Sequence, residues 1–324
     1  MLFRSRSLAY AAGATVIAAA GIAVAQNYPV KPVRVVIPWP PGGANDIAGR
    51  IVMQKVGEAL GQQFPIDNRG GAGGTIGSDL VAKAAPDGYT LMVHSTTHLG
   101  NAHLYKNLPY DTVADFAPVG ILTVQSAVLT VHPSLPVKTV REFIALARAR
   151  PGEILYSTAG NGSIPHLGMA LLGSMTNTRY THVPYKGGGP QVIALVAGES
   201  QVSLATVASV VQHIRAGRLR ALGLSAVRRS SALPDVPTTA ESGVPGYDMS
   251  PWIAAFAPAG TPRAIIDKLN SEINRALRLP DVAQNLSTQG VDPWPGTPDE
   301  FAARIKADYE RYAKLIKLTG AKID

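Results

Sequence analysis

The chain has 324 residues, no cysteine and a formal net charge of +8. Without cysteine there can be no disulfide, no thiolate metal site and no cysteine nucleophile, so the fold relies on its core. The basic residues are scattered, Arg228-Arg229 being the only adjacent pair, and no Lys/Arg stripe interleaved with aromatics supports nucleic-acid binding.

The first 25 residues read as an export leader. Arg4 and Arg6 precede an apolar stretch at 8–20, and Ala23-Val24-Ala25 fits a small-x-small cleavage site. The stretch is short, rich in Ala and Gly, and lacks following stop-transfer charges, which argues against a membrane anchor. Cleavage after Ala25 and delivery to a periplasm are expected. The charge then falls to +6, and about 299 residues remain, enough for one large or two medium domains.

Residues 33–37 are β-branched apart from Arg34, as in a buried strand of a parallel sheet. Pro38, Pro40 and Pro41 end the ladder, Gly42 and Gly43 leave their amides bare, and Asn45 or Asp46 caps a helix carrying Ile47, Ala48, Ile51 and Val52. A strand, a glycine turn and a helix N-terminus aim several N–H donors at one small volume, which suits an anion. A short strand at 64–67 enters the glycine-rich run 70–77, which fits a packing turn, a hinge or a ligand contact. A helix from Ser78 to Ala84 and a strand at 89–94 follow. The polar run Ser95-Thr96-Thr97-His98 reads as a loop.

The second half repeats this grammar. Strands are expected at 126–131, 154–157, 180–184, 202–205 and 219–225. Helices are expected at 139–148, from Pro165, at 191–197 and at 209–216. Glycine loops at 160–163 and 187–189 again lie between strand and helix, and Ser157, Thr158 and Ser163 add hydroxyls. After a loop-like stretch at 228–247 come a strand at 252–257, a helix to Leu277 and a last helix opened by the capping box Thr297-Pro298-Asp299-Glu300. The expected architecture is α/β and two-lobed. Each lobe is a mostly parallel sheet flanked by helices: residues 26–125 plus 251–324 build one and 126–250 the other. Ligands of such sheets bind beyond the carboxyl ends of the strands, here in a cleft between the lobes.

Catalytic patterns are weak. Neither a Walker A loop nor a Gly-x-Gly-x-x-Gly fingerprint occurs. No Gly-x-Ser-x-Gly or Ser-x-x-Lys motif is present, and the glycine loops carry no carboxylates beyond Asp46 and Asp67. His94, His98 and His103 would suit a metal only on a helix, and their Pro and Thr neighbours argue against one. Ser163 with His166 is the one alternative, a hydrolase on the same scaffold. Among the aromatics, Trp39 and Tyr185 adjoin glycine turns and are the two candidate ligand contacts.

Several motifs occur in series: Pro-Val-Arg-Val-Val-Ile-Pro-Trp-Pro-Pro-Gly-Gly-x-x-Asp, Asp-Asn-Arg-Gly-Gly-Ala-Gly-Gly, Pro-Asp-Gly-Tyr-Thr-Leu, Gly-Asn-Gly-Ser-x-x-His-Leu, His-Val-Pro-Tyr-Lys-Gly and Phe-Ala-Pro-Ala-Gly-Thr-Pro. In this order they resemble the Bug family, the extracytoplasmic receptors of tripartite tricarboxylate transporters. The resemblance implies a two-lobed periplasmic binding protein, without enzymatic activity or cofactor, that closes as a monomer on a small carboxylate. Membrane transporter subunits would be its protein partners. By position it implies ligand contacts at Pro41, Gly42, Gly43, Asp46, Thr158, Gly162, Ser163, Tyr185 and Gly187, with Thr96 and His98 matching the polar loop after the third strand. Ser203 stands where the family usually has Asp, and Asn45 and His94 also depart from its common pattern.

Overall fold

A computed structural model describes residues 27–185 and 188–319; the expected leader and Gly187 lie outside them. The chain runs β1 (Arg34–Ile37), α1 (Ala44–Leu60), β2 (Ile66–Asn68), α2 (Thr75–Ala82), β3 (Thr90–Ser95), α3 (Thr97–Leu104) and β4 (Phe116–Gln125). It crosses at Ser126 into β5 (Ala127–Val131), α4 (Val140–Ala149), β6 (Leu155–Thr158), α5 (Ile164–Thr176), β7 (Thr181–Pro184), α6 (Gly188–Ala197), β8 (Val202–Thr206), α7 (Val207–Arg215) and β9 (Arg220–Leu224). A long return leads to β10 (Trp252–Pro258), α8 (Arg263–Leu277), α9 (Pro280–Thr288), β11 (Val291–Pro293) and α10 (Pro298–Thr319).

Two sheets result, in the orders β11-β4-β10-β3-β1-β2 and β7-β6-β8-β5-β9. β1 pairs in parallel with β2 and β3, and β6 with β7 and β8. The strand by which the chain enters each sheet from the other one is antiparallel to both neighbours: β10 against β3 and β4, β5 against β8 and β9. This is the two-lobed α/β architecture expected, but neither sheet is mostly parallel: the crossing strands, together with β11 against β4, make three of five pairs antiparallel in the first sheet and two of four in the second.

Both faces of the central strands are apolar, which is why they read as continuous hydrophobic runs. Val35, Ile37, Leu91 and Val93 face one cluster with α1, α8 and α9, whereas Val36, Met92, Trp252 and Phe256 face another with Phe301 and Ile305. α10 is shared between the sheets. Phe301 and Ile305 pack on the first, and Tyr312, Leu315 and Ile316 join Leu129, Phe143 and Leu167 on the second.

Several elements differ from the sequence expectation. The 95–98 run is not a loop, because a helix starts at Thr97 and buries Leu99 and Leu104; tertiary burial outweighs its poor local propensity. β4 is a long strand that Pro118 and Gly120 concealed. Its register against β10 shifts beside Pro118, and Gly120 leaves room for Asn270, whose Nδ2 donates to the Val119 carbonyl at 2.9 Å. α9 and β11 were likewise not anticipated. The α4 and α10 caps are as expected: Thr139 and Thr297 each accept the amide three residues on, at 3.1 Å.

Candidate functional site

The loop after β1 leaves Pro41, Gly42 and Gly43 exposed. The N-cap of α1 is Gly43, in extended backbone, rather than Asn45 or Asp46. Asp46 occupies the third helical position and reaches back, accepting the Gly42 amide at 2.9 Å, Arg50 Nε at 2.9 Å and Asn68 Nδ2 at 3.0 Å. Burial alone would raise this carboxyl, but the bonds from Arg50, Gly42 and Asn68 outweigh it and hold it below the usual carboxylate range. Asp46 is therefore engaged within the turn, where it accepts from Gly42, a residue in left-handed backbone at φ +82°. The amides at the open end of α1 have no helical acceptor of their own.

Trp39 is half-buried; its carbonyl accepts Asn68 Nδ2 at 3.0 Å and its ring stands edge-on to His94, 5.8 Å between centroids. The glycine run beside it has a packing role. A Cβ at Gly70 would lie 3.3 Å from Pro40, and one at Gly77 would lie 2.9 Å from the Arg69 carbonyl and from Pro38. At Gly74, where φ is +93°, a Cβ would lie 2.5 Å from His94 Nε2. Gly74→Ala is thus expected to destabilise the protein by about 2–4 kcal/mol through left-handed strain and overpacking, read as a lowered urea midpoint. An unchanged midpoint would show that this loop tolerates rearrangement.

Thr96 and His98 are buried. The Thr96 amide donates to the Trp252 carbonyl at 3.1 Å. His98 is fully buried, with Nε2 3.0 Å from the Thr112 carbonyl and Phe116 edge-on at 4.6 Å. Burial pushes the His98 imidazole down to about 4. A carbonyl can only accept, so Nε2 carries the proton. His94 is buried too, and its Nδ1 accepts the Ser95 amide at 2.7 Å. His103 faces the Tyr309 carbonyl at 3.1 Å. The three imidazoles have separate partners, and no cluster of three metal-ligating side chains occurs among the described residues.

In the second lobe, Thr158 ends β6 and is buried. Its Oγ1 accepts the Gly160 amide at 3.2 Å and lies 2.6 Å from His182 Nε2. Ser163 Oγ donates to the Gly160 carbonyl at 2.6 Å, and the Gly162 amide donates to His166 Nδ1 at 3.1 Å. Tyr185 lies against the same loop, its amide donating to the Thr158 carbonyl at 2.9 Å and its hydroxyl to Glu199 at 3.3 Å. A Cβ added at Gly162 would lie 3.4 Å from Leu104 of α3, so the loop runs beside that helix. Ser163 and His166 thus bond to other groups, and the hydroxyl–imidazole pair of a hydrolase is not assembled. Ser203 is buried, accepting Gln191 Nε2 at 2.5 Å and donating to the Ser157 carbonyl at 2.8 Å.

Sequence reasoning did not anticipate the pairing of His166 with His182, which come from separate elements, nor the Asp248–Arg304–Asp308–Arg311 cluster. The histidine pair carries no local signal, because its members meet only through packing; in the cluster, Arg304, Asp308 and Arg311 lie at i,i+4 and i,i+3 spacing on α10, a signal that could have been read, whereas Asp248 joins them only in the fold.

The family model described as "Tripartite tricarboxylate transporter family receptor" matches residues 48–321. BugT of Bordetella pertussis is 38% identical over 312 residues, covering 95% of this chain and 96% of its own. An R. palustris protein solved with adipate is 34% identical with a TM-score of 0.75, over 91% of this chain and 100% of that one. MatC of Rhodopseudomonas palustris, solved with bound malate, is 33% identical with a TM-score of 0.71, over 89% and 100%. The chain therefore belongs to the receptor family of the tripartite tricarboxylate transporters, the Bug-type periplasmic solute-binding proteins.

Proposed function

We propose that this receptor captures a small organic carboxylate between its lobes and presents it to a tripartite tricarboxylate-type transporter, or to a sensor. The observation that carries the reading is the matched pair of strand-end loops, 38–46 and 158–163, which hold backbone amides and hydroxyls but no Lys or Arg. Neutral, preorganised donors suit a carboxylate because no cation need be desolvated to meet it. The adipate and malate seen in the two R. palustris relatives support the same ligand class.

In this reading Trp39, Pro41, Gly42, Gly43, Ser163, Tyr185 and Gly187 face the ligand, while Asp46, Thr158 and Gly162 shape the loops from within. The lobes are residues 26–125 plus 251–324 and residues 126–250, with α10 shared, and closure is a population shift because only the closed form lets the ligand touch both. The mature chain is a periplasmic monomer released by cleavage after Ala25, and it turns over no substrate. Among the described residues no helix is long and apolar enough to cross a membrane.

A thermal-shift screen against adipate, malate, citrate, glutamate and benzoate tests the reading. Ligand at 100 times its Kd stabilises by about 2.7 kcal/mol, a rise of several degrees. A response with the compound recovered unchanged supports a receptor; no response to any carboxylate removes the ligand class. Gly43 is the position to probe the first loop. Its backbone needs no glycine, and an added Cβ meets only the Pro40 carbonyl, at 3.8 Å. Gly43→Leu should keep the unliganded melting temperature within a degree or two and weaken binding at least tenfold. Wild-type affinity in that variant would take the first loop out of the site.

A further inference from the structure

The second-lobe loop is held from beneath by two histidines from different elements. His166 of α5 and His182 of β7 stack face to face, 4.2 Å between centroids and 4° between planes, with the Tyr156 ring on the far side of His182 at 4.9 Å and 21°. Each ring controls one arm of the loop. His166 Nδ1 accepts the Gly162 amide, and His182 meets Thr158 Oγ1, which in turn accepts the Gly160 amide. Gly160 and Gly162 have φ of +120° and +72°. The backbone therefore needs an external acceptor to fix where its N–H groups point.

We infer that His166 is a positioning residue for the second-lobe ligand loop: as a hydrogen-bond acceptor, not as a space-filler, it turns the Gly162 amide inward and fixes the neighbouring amides towards the cleft. The inference rests on the reading of this loop as part of the ligand site. His166 occupies the third position of α5 after the N-cap Ser163, where a capping-box side chain reaches back to an amide before the helix. The role requires a bare Nδ1, and hence an uncharged ring. The groups facing the pair are consistent with that: Tyr156, Thr158 and the loop amides, with no carboxylate or cation partnering either imidazole among the described residues. Burial first, and His182 second, push His166 down to about 4; burial also lowers His182.

Two substitutions separate the roles. Asparagine places an acceptor oxygen near the Nδ1 position but does not fill the ring's volume; phenylalanine fills the volume and accepts nothing. The first readout needs no ligand: amide hydrogen exchange of Gly162, by 15N NMR at pH 7. His166→Asn should retain most of the wild-type protection, and His166→Phe should speed exchange at least tenfold. The second readout is adipate affinity, expected near wild type for His166→Asn and at least tenfold weaker for His166→Phe. Wild-type protection and affinity in His166→Phe, with losses in His166→Asn, would overturn the inference and leave His166 a packing residue. If adipate fails to bind the wild type, that result counts against the carboxylate reading, and the exchange readout by itself decides the role of His166.

Discussion

Asp308→Ala should lower the stability of this receptor by about 3–5 kcal/mol, the cost expected when one partner of a buried ion cluster is removed. Asp308 is 1% exposed and accepts three donors: Trp252 Nε1 at 2.8 Å, Arg304 Nε at 2.9 Å and Arg311 Nη2 at 2.5 Å. Asp248 holds the same two arginines from the return segment, each at 3.1 Å. Removing Asp308 leaves two largely buried guanidinium groups with one carboxylate and orphans an indole N–H, so the loss exceeds one hydrogen bond. Asp308→Asn can still accept from Trp252 and should lose less than the alanine variant. The contrast is Arg263 with Asp299, which is bidentate at 2.7 and 2.9 Å yet solvent-exposed, so Asp299→Ala should leave the urea midpoint nearly unmoved. Equal midpoints for Asp308→Ala and wild type would sink the argument. The cluster joins β10, α10 and the segment returning from the second lobe, so its loss should also loosen the crossing between lobes.

Acid should unfold the protein in two stages, the first carried by histidine. His98 and His166 are each pushed from 6.5 to about 4 by burial, the latter also by His182, and His94 is held well below its ordinary value by burial and by His98. These rings are neutral in the folded chain and bind protons near pH 6.5 once unfolded. The unfolded state thus binds more protons below that pH, and stability falls as pH drops. The stabilisation is complete above about pH 6.5 and is lost between 6.5 and 4, by about 3 kcal/mol for each of His98 and His166 at pH 4. Two such losses approach the whole stability of an ordinary domain. The carboxylates act in the opposite sense and lower down. Burial would raise Asp46 and Asp248, but Arg50 with Gly42 and Asn68, and Arg304 with Arg311, outweigh it and hold both below the usual range. Their contribution is present above about pH 4 and disappears as the pH falls through their lowered values. Urea midpoints at pH 7.5, 6.0, 5.0 and 4.5 should decline steadily. A flat profile down to pH 5 would mean that the buried rings are not neutral and desolvated as placed.

Much of the fold was legible because its signals are local. The β-branched run before Pro38 specifies a strand, Thr139 and Thr297 with Glu three residues on specify helix starts, and proline-glycine turns mark the boundaries. The elements missed each lack such a signal. β4 carries Pro118 and Gly120, which read as breakers until β10 supplies a register shift and Asn270 fills the space left by glycine. α3 has polar, β-branched and histidine residues in its first turn, and it forms because the first-lobe core buries His98 and Leu99.

The candidate site divides in the same way. Composition and spacing alone identified the exposed turn at 41–43 and the loop at 158–163, because glycine between a strand and a helix is a local statement about backbone freedom. Which groups stay open to a ligand was decided by tertiary structure. Asp46 is turned inward by Gly42, Arg50 and Asn68, and at the start of α3 Thr96 and His98 are buried, the His98 ring against Phe116. The Gly162 amide is taken by a histidine that stacks on another strand's histidine. Sequence by itself determined the two-lobed α/β grammar, the family and the places of the glycine loops between strand and helix, since these rest on patterns within a few residues. The long-range interior partners, Asn68 at Asp46, His182 at His166 and Asp248 at Arg304, were settled by packing, because desolvation and hydrogen-bond competition there depend on neighbours that lie far apart along the chain.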